Sequence, residues 1–102
     1  LLHKRAEVTA VHVNCVAADG WCIAGEPLAE TLTPAHSEIY ITAGTNTAAE
    51  KAAMIAALHR LLVESCGALP EASYVVIHEI PATDWGYAGQ TQAARQQPGR
   101  SL

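Results

Sequence analysis

In the stretch HEIPATDW a glutamate near a strand end is followed six residues later by a tryptophan, and here residue types and spacing could do chemistry. The Glu79 carboxylate could act as a general base beside an apolar wall supplied by Trp85, since a held carboxylate and a water-excluding ring suit a proton transfer. A glutamate at a strand end also serves as an ion-pair or backbone contact at a subunit boundary. Trp85, like Trp21, equally suits packing in a chain short of large apolar side chains. His78 is adjacent to Glu79 and therefore points to the opposite face of its strand, so the two do not form a dyad. His3, His12, His36, His59 and His78 include no H-x-x-x-H or H-x-x-C pair, which argues against a metal centre. No elbow motif supports a Ser-His-Asp triad. Cys15, Cys22 and Cys66 match neither a zinc ribbon nor a disulfide framework and read as buried reduced thiols. Arg95 and Arg100 either reach over a neighbour's pocket or belong to a solvated tail.

These residues need elements to position them. Glu7 to Val16, with β-branched Val8, Thr9, Val11, Val13 and Val16, reads as a half-buried strand. Ala18 to Gly20 turns the chain, Trp21 to Pro27 returns as a short extended piece, and Pro27 to Ser37 is a polar connector. A second strand, Glu38 to Ala43, sets Ile39 and Ile41 on one face and Glu38, Tyr40 and Thr42 on the other. Thr47 and Glu50 form a capping box that opens a helix from about Ala48 to Ser65, with Met54 or Ile55, Leu58, Leu61 and Leu62 as its apolar stripe and Gly67 as its stop. A third strand, Ser73 to Ile80, has a continuous apolar run suited to cover on both faces, and Pro81 ends it. Strand, helix and strand at this spacing make a βαβ unit with parallel strands. From Gln90 to Leu102 the chain is polar and reads as a loose tail, or as a segment ordered by a neighbour.

Composition narrows the class. A chain of 102 residues is one domain with a thin core, and the absence of Phe leaves its apolar half composed mostly of small side chains. A net charge of −4, with six Lys and Arg scattered along the chain, argues against a nucleic-acid footprint. No apolar run approaches the roughly twenty residues of a membrane helix and no signal-like segment opens the chain, so a soluble, cytoplasmic protein is expected. The chain starts at Leu1 and its one methionine is Met54, so an upstream segment is expected to have been removed or to belong to a longer reading frame.

The chain also aligns with itself. A shift of 64 places Glu7–Gly25 on Glu71–Gly89 without a gap, and six positions are identical, among them Trp21 with Trp85 and the Ala-Gly pairs 24–25 and 88–89. Average residue usage gives roughly one such match. The expected organisation is an incomplete duplication: a partial first repeat at 7–27, a complete βαβ repeat at 38–89 and a polar tail at 90–102. The fold class is α/β, a βαβ unit plus an extra N-terminal strand or hairpin in one mixed sheet.

The segments EIYITAGTNTAAEKAAMIAAL and GALPEASYVVIHEIPATDWGYAG resemble the tautomerase superfamily, the group of 4-oxalocrotonate tautomerase and cis-3-chloroacrylic acid dehalogenase. The resemblance covers residues 38–89 and extends to 7–25 through the repeat. It implies fused βαβ units in a homo-oligomer, trimer or higher, and a cofactor-free isomerase or hydratase of small enol or unsaturated carboxylic acids. It also implies a pocket that takes a small carboxylate ligand. Carried over position by position, Glu79 falls where some members hold a water-activating carboxylate and Trp85 falls at the aromatic pocket position. Thr45 and Tyr74 stand where arginines are common in the family, and are the further substrate-binding candidates. The family's N-terminal proline has no counterpart: Ala35 aligns there, beside the internal Pro34, which has no free amine. The alternative is a catalytically degenerate oligomeric binding or assembly module on the same scaffold.

Overall fold

The βαβ unit forms where polar and apolar residues alternate at the period each element requires. In the computed structural model, which describes residues 1–12, 21–27 and 33–96, strand β3 runs Ser37–Thr42, helix α1 Ala48–Cys66 and strand β4 Val75–Ile80. β3 and β4 pair in parallel, with Ile39 opposite Ile77, Tyr40 opposite His78 and Ile41 opposite Glu79. The capping box is present: Thr47 Oγ1 accepts from the Glu50 amide and Glu50 Oε1 accepts from the Thr47 amide, satisfying two donors that the first turn would otherwise leave orphaned. Gly67 closes the helix, its amide bonded to Val63 O.

The alternation along β3 gives the sheet two unlike faces. Ile39 and Ile41 turn one way, and Ile41 is the only buried hydrophobic side chain among the described residues, 3% exposed. Glu38 and Tyr40 lie on the opposite, open face, where Thr42 is nevertheless buried because Trp85 donates an indole hydrogen bond to its hydroxyl. The helix contributes Lys51, Met54, Ala57, Leu58 and Leu62 as its less exposed positions, whereas Ile55 and Leu61 face outward. Met54 rather than Ile55 therefore lies on the packed stripe, and Leu61, expected on it, does not. β4 was expected to be covered on both faces. It is half-buried throughout except at Glu79, which is exposed, and Trp85 closes the open face only near Thr42.

Two hairpins flank this unit. Strands β1, Cys22–Ile23, and β2, Glu26–Pro27, pair antiparallel, as do β5, Gly86–Tyr87, and β6, Gln90–Thr91. A short helix α2, Gln92–Gln96, follows. Each hairpin position in the first pair is 64 residues before its counterpart in the second, and the turns share their conformation: φ is 56° and 75° at Ala24 and Gly25, 51° and 78° at Ala88 and Gly89. Positive φ at both central residues is the type I′ turn, whose twist matches that of paired strands.

Four expectations need correction. The described strands form three separate two-stranded ladders rather than one mixed sheet. Within the expected strand Glu7–Val16, residues 13–16 lie outside the described residues; over the rest, Ala6–Val8 is a 3-10 turn and no strand follows. Val8, Thr9 and Val11 meet no partner ladder among the described residues, and local bonds win instead: Arg5 pairs with Glu7 at 2.7 Å and Thr9 Oγ1 donates to Arg5 O. The segment from Gln90, expected to be a loose tail or to order only against a neighbour, is ordered through Gln96 by bonds within its own chain. The Gln92 amide donates to Trp85 O, the Ala93 amide to Ala82 O and the Ala94 amide to Thr91 Oγ1. Finally, Cys22 and Cys66 are exposed free thiols rather than buried ones. Cys15 and Arg100 lie outside the described residues. No helix among the described residues is long and apolar enough to cross a membrane.

Candidate active site

Ligands of open parallel sheets gather outside the carboxyl ends of the strands, where the chain leaves one strand for the covering helix. Here that end is formed by Thr42 and Ile80, the loop Ala43–Asn46 and the first turn of α1. Glu79 lies one residue before the end of β4, on the helix side, and its Oε1 is 3.2 Å from Lys51 Nζ. Both side chains are about one-third exposed or less, 35% and 27%, so the pair is shielded without being sealed from water. Lys51 is a charged residue that nevertheless lies among the less exposed positions of α1. Its spacing of three and then four to Met54 and Leu58 places it on the apolar stripe, a signal the sequence carried.

Trp85 sits on the other side of the same strand ends. Its Nε1 donates to Thr42 Oγ1 at 3.1 Å, which fixes the indole over the open face. Thr42 gave no sign of this role in the sequence, since it alternates with Tyr40 as a surface position. An open depression of about 320 Å³ lies beside the indole, lined also by Thr83, Asp84, Gly86, Gly89, Gln90 and Thr91.

Thr45 follows the strand end directly. Its hydroxyl donates to Thr42 O at 2.7 Å and accepts from Lys4 Nζ at 2.9 Å. Tyr74, the fourth candidate, precedes β4 at the opposite end of the sheet and is 67% exposed. Six residues of strand separate it from Ile80, about 20 Å at the rise of an extended chain. One chain therefore brings together Glu79, Thr45 and Trp85 around the carboxyl end, with Glu79 and Trp85 on opposite faces, and leaves Tyr74 at the far end.

The remaining titratable side chains are placed elsewhere. His78 lies on the open face, stacked on Tyr40 with ring centroids 4.6 Å apart and 2.7 Å from Glu38 Oε1, so it does not share a face with Glu79. Arg95 neither reaches outward nor trails in solvent: its guanidinium lies 3.8 Å over the Tyr87 ring and donates to Tyr87 O. The Ala35 nitrogen is an amide donating to Ser73 Oγ at 3.4 Å.

Comparison with known proteins adds the following. The family model described as tautomerase enzyme matches residues 37–95, more than half of the chain. A protein named probable tautomerase RSp0893, from Ralstonia nicotianae, is 42% identical over 50 residues, which is 49% of this chain and 71% of the relative. Another, probable tautomerase K2 from Dickeya dadantii, is 36% identical over 59 residues, 58% of this chain and 88% of the relative. No solved structure matches significantly.

Proposed function

The chain belongs to the tautomerase family, and on that premise we propose that it is a cofactor-free proton-transfer enzyme, an isomerase or hydratase of small enol or unsaturated carboxylic acids. The observation that carries this reading is the gathering of a carboxylate, an ammonium, two hydroxyls and an indole at one strand end, through Glu79, Lys51, Thr42, Thr45 and Trp85. In ketonisation the hydroxyl proton of the enol passes to the Glu79 carboxylate, and the neighbouring carbon takes a proton from that carboxyl or from water. Lys51 holds the carboxylate in place, and Trp85 offers an apolar surface to the substrate.

The place of Tyr74 at the far end of β4 supports a pocket completed between copies, with Tyr74 of one chain facing the Thr45 and Trp85 end of another. A homo-oligomer, trimer or higher, is part of the same proposal. It is favoured by exposed Tyr40, Ile55, Leu61, Val63 and Tyr74 in a chain with one buried hydrophobic side chain among its described residues. Sedimentation at micromolar concentration checks it, and a stable monomer would count against it. The matched turns at Ala24-Gly25 and Ala88-Gly89 support descent of the two hairpins from one duplicated unit.

A second reading, a binding or assembly module without catalysis, is favoured by the pairing of Glu79 with Lys51 on the face away from Trp85. Ketonisation of phenylenolpyruvate and 2-hydroxymuconate separates the two. The enzyme reading expects a rate above buffer that falls at least about 100-fold in Glu79→Gln, the usual worth of a positioned general base. A wild-type rate equal to buffer would leave only the binding module.

A further inference from the structure

Resting on the substrate class proposed above, we infer that Lys4 supplies the cation that holds the substrate carboxylate, across the strand end from the Trp85 indole. An acid bound at this end needs a positive group, and most cations of the described chain are already committed. Arg5 pairs with Glu7, Lys51 with Glu79, and Arg95 with the ring and carbonyl of Tyr87. Arg60 is exposed on α1, outside the packed stripe and more than two turns from the helix start. The depression beside Trp85 offers no cation, and Asp84 in its lining repels an anion.

Lys4 is placed differently. Its ammonium has no carboxylate partner among the described residues and donates to the Thr45 hydroxyl at 2.9 Å. Thr45 Oγ1 bonds Thr42 O, and Thr42 Oγ1 accepts from Trp85 Nε1, so ammonium and indole stand either side of one residue. The segment carrying Lys4 is anchored on both sides of Thr47. Asn46 Nδ2 donates to Leu2 O at 3.0 Å, and His3 Nε2 lies 3.2 Å from Glu50 Oε2. An aryl or alkenyl acid whose apolar part lies on the indole would thus turn its carboxylate away from Asp84 and toward Lys4. Because Lys4 is exposed, water screens its charge and the effect is modest.

The test uses the whole chain and phenylacetate, which carries the ring and the carboxylate but does not react. Binding is followed by the indole nitrogen resonance of Trp85 in the wild type, in Lys4→Gln and in Lys4→Arg, with phenylacetamide as the uncharged probe. The expected result is a phenylacetate Kd raised about fivefold in Lys4→Gln and near wild type in Lys4→Arg, with phenylacetamide binding alike in all three. Equal phenylacetate affinity in wild type and Lys4→Gln overturns the inference, as does a Trp85 resonance that phenylacetate does not move. Turnover of enol acids with a Lys4-independent KM would sink the role of Lys4 and leave the proposed function standing. Lys4-dependent binding without turnover would do the reverse.

Discussion

Gly86 is the position at which one added carbon should do most harm. A Cβ built there clashes with Gln90 O and lies 2.7 Å from Gln90 C and 2.8 Å from Thr91 Cα, all backbone atoms that no rotamer change can clear. These contacts are well inside the roughly 3.5 Å at which non-bonded atoms rest, so in Gly86→Ala strands β5 and β6 must part. Parting them costs the ladder between Gly86 and Thr91 and strains the bond from the Gln92 amide to Trp85 O. At about 1 kcal/mol for each bond, Gly86→Ala should destabilise the chain by about 2 kcal/mol. Two substitutions separate this steric cause from backbone torsion. Gly89→Ala meets nothing within 4 Å and suffers only its positive φ, worth about 1 kcal/mol. Cys22, 64 residues earlier at the equivalent place in the first hairpin, already carries a Cβ. Cys22→Gly should therefore cost only the glycine entropy, about 0.5–1 kcal/mol. Urea unfolding measures all three, and the Trp85 indole resonance reports whether the ring has left Thr42. Gly86→Ala with a wild-type midpoint and an unmoved Trp85 resonance would refute the reasoning.

Removing the indole donor in Trp85→Phe leaves the hydroxyl of Thr42, a residue only 7% exposed, without that partner and should cost about 1–3 kcal/mol; adding Thr42→Val should recover part of it, measured as a double-mutant cycle. Ala88→Asn, at φ 51°, should stabilise the second hairpin by up to about 1 kcal/mol in thermal unfolding, because asparagine tolerates the left-handed region better than alanine. The Glu50 carboxyl is held below its ordinary value of 4.5, first by the bond from the Thr47 backbone and, more weakly, by Asn46 and His3. A depressed folded value means the contribution is present above pH 4.5 and is lost as pH falls through the lower, folded value. The Cα shifts of Ala48–Lys51 should therefore stay level above pH 4.5 and move toward coil as pH falls below it in the wild type, and show no such change in Glu50→Gln.

The βαβ unit was legible because each of its signals is local. Alternation in EIYIT, the Thr47 and Glu50 pair, the stripe through Leu58 and Leu62, and Gly67 are all read within a few residues, and each element appears within two residues of its expected bounds. The errors arise where a segment's fate depends on what lies beside it. Glu7 to His12 has the composition of a strand but no ladder to join among the described residues, so the Arg5 and Glu7 pair and the Thr9 hydroxyl set its local path. The segment from Gln90 has the composition of a tail, yet Arg95 finds the Tyr87 ring and the backbone of α2 finds Trp85 and Ala82. The site shows the same division. Glu79 and Trp85 were candidates because the segment that carries them resembles the family. Lys51 was recoverable from helical spacing, and Lys4 was not recoverable at all, because 41 residues separate it from Thr45.

That division bears on where the chemistry can take place. The alternation that buries Ile41 against α1 also puts Glu79, its register partner, on the helix side, while the neighbouring Thr42 and its bond to Trp85 fall on the open side. A strand cannot turn adjacent residues to the same face. A ligand that meets both Glu79 and Trp85 of one chain must therefore lie across the strand ends rather than within either face. There Lys4 and Thr45 close one edge and nothing described in the same chain closes the other. A lidless site of this kind leaves its substrate in water, where a carboxylate base and an ammonium are worth far less than in a closed pocket. If the chain is catalytic, a second copy has to supply the missing wall. The enzyme proposal therefore requires the oligomer: activity that survives dilution into a monomer would contradict both the geometry and the mechanism drawn from it.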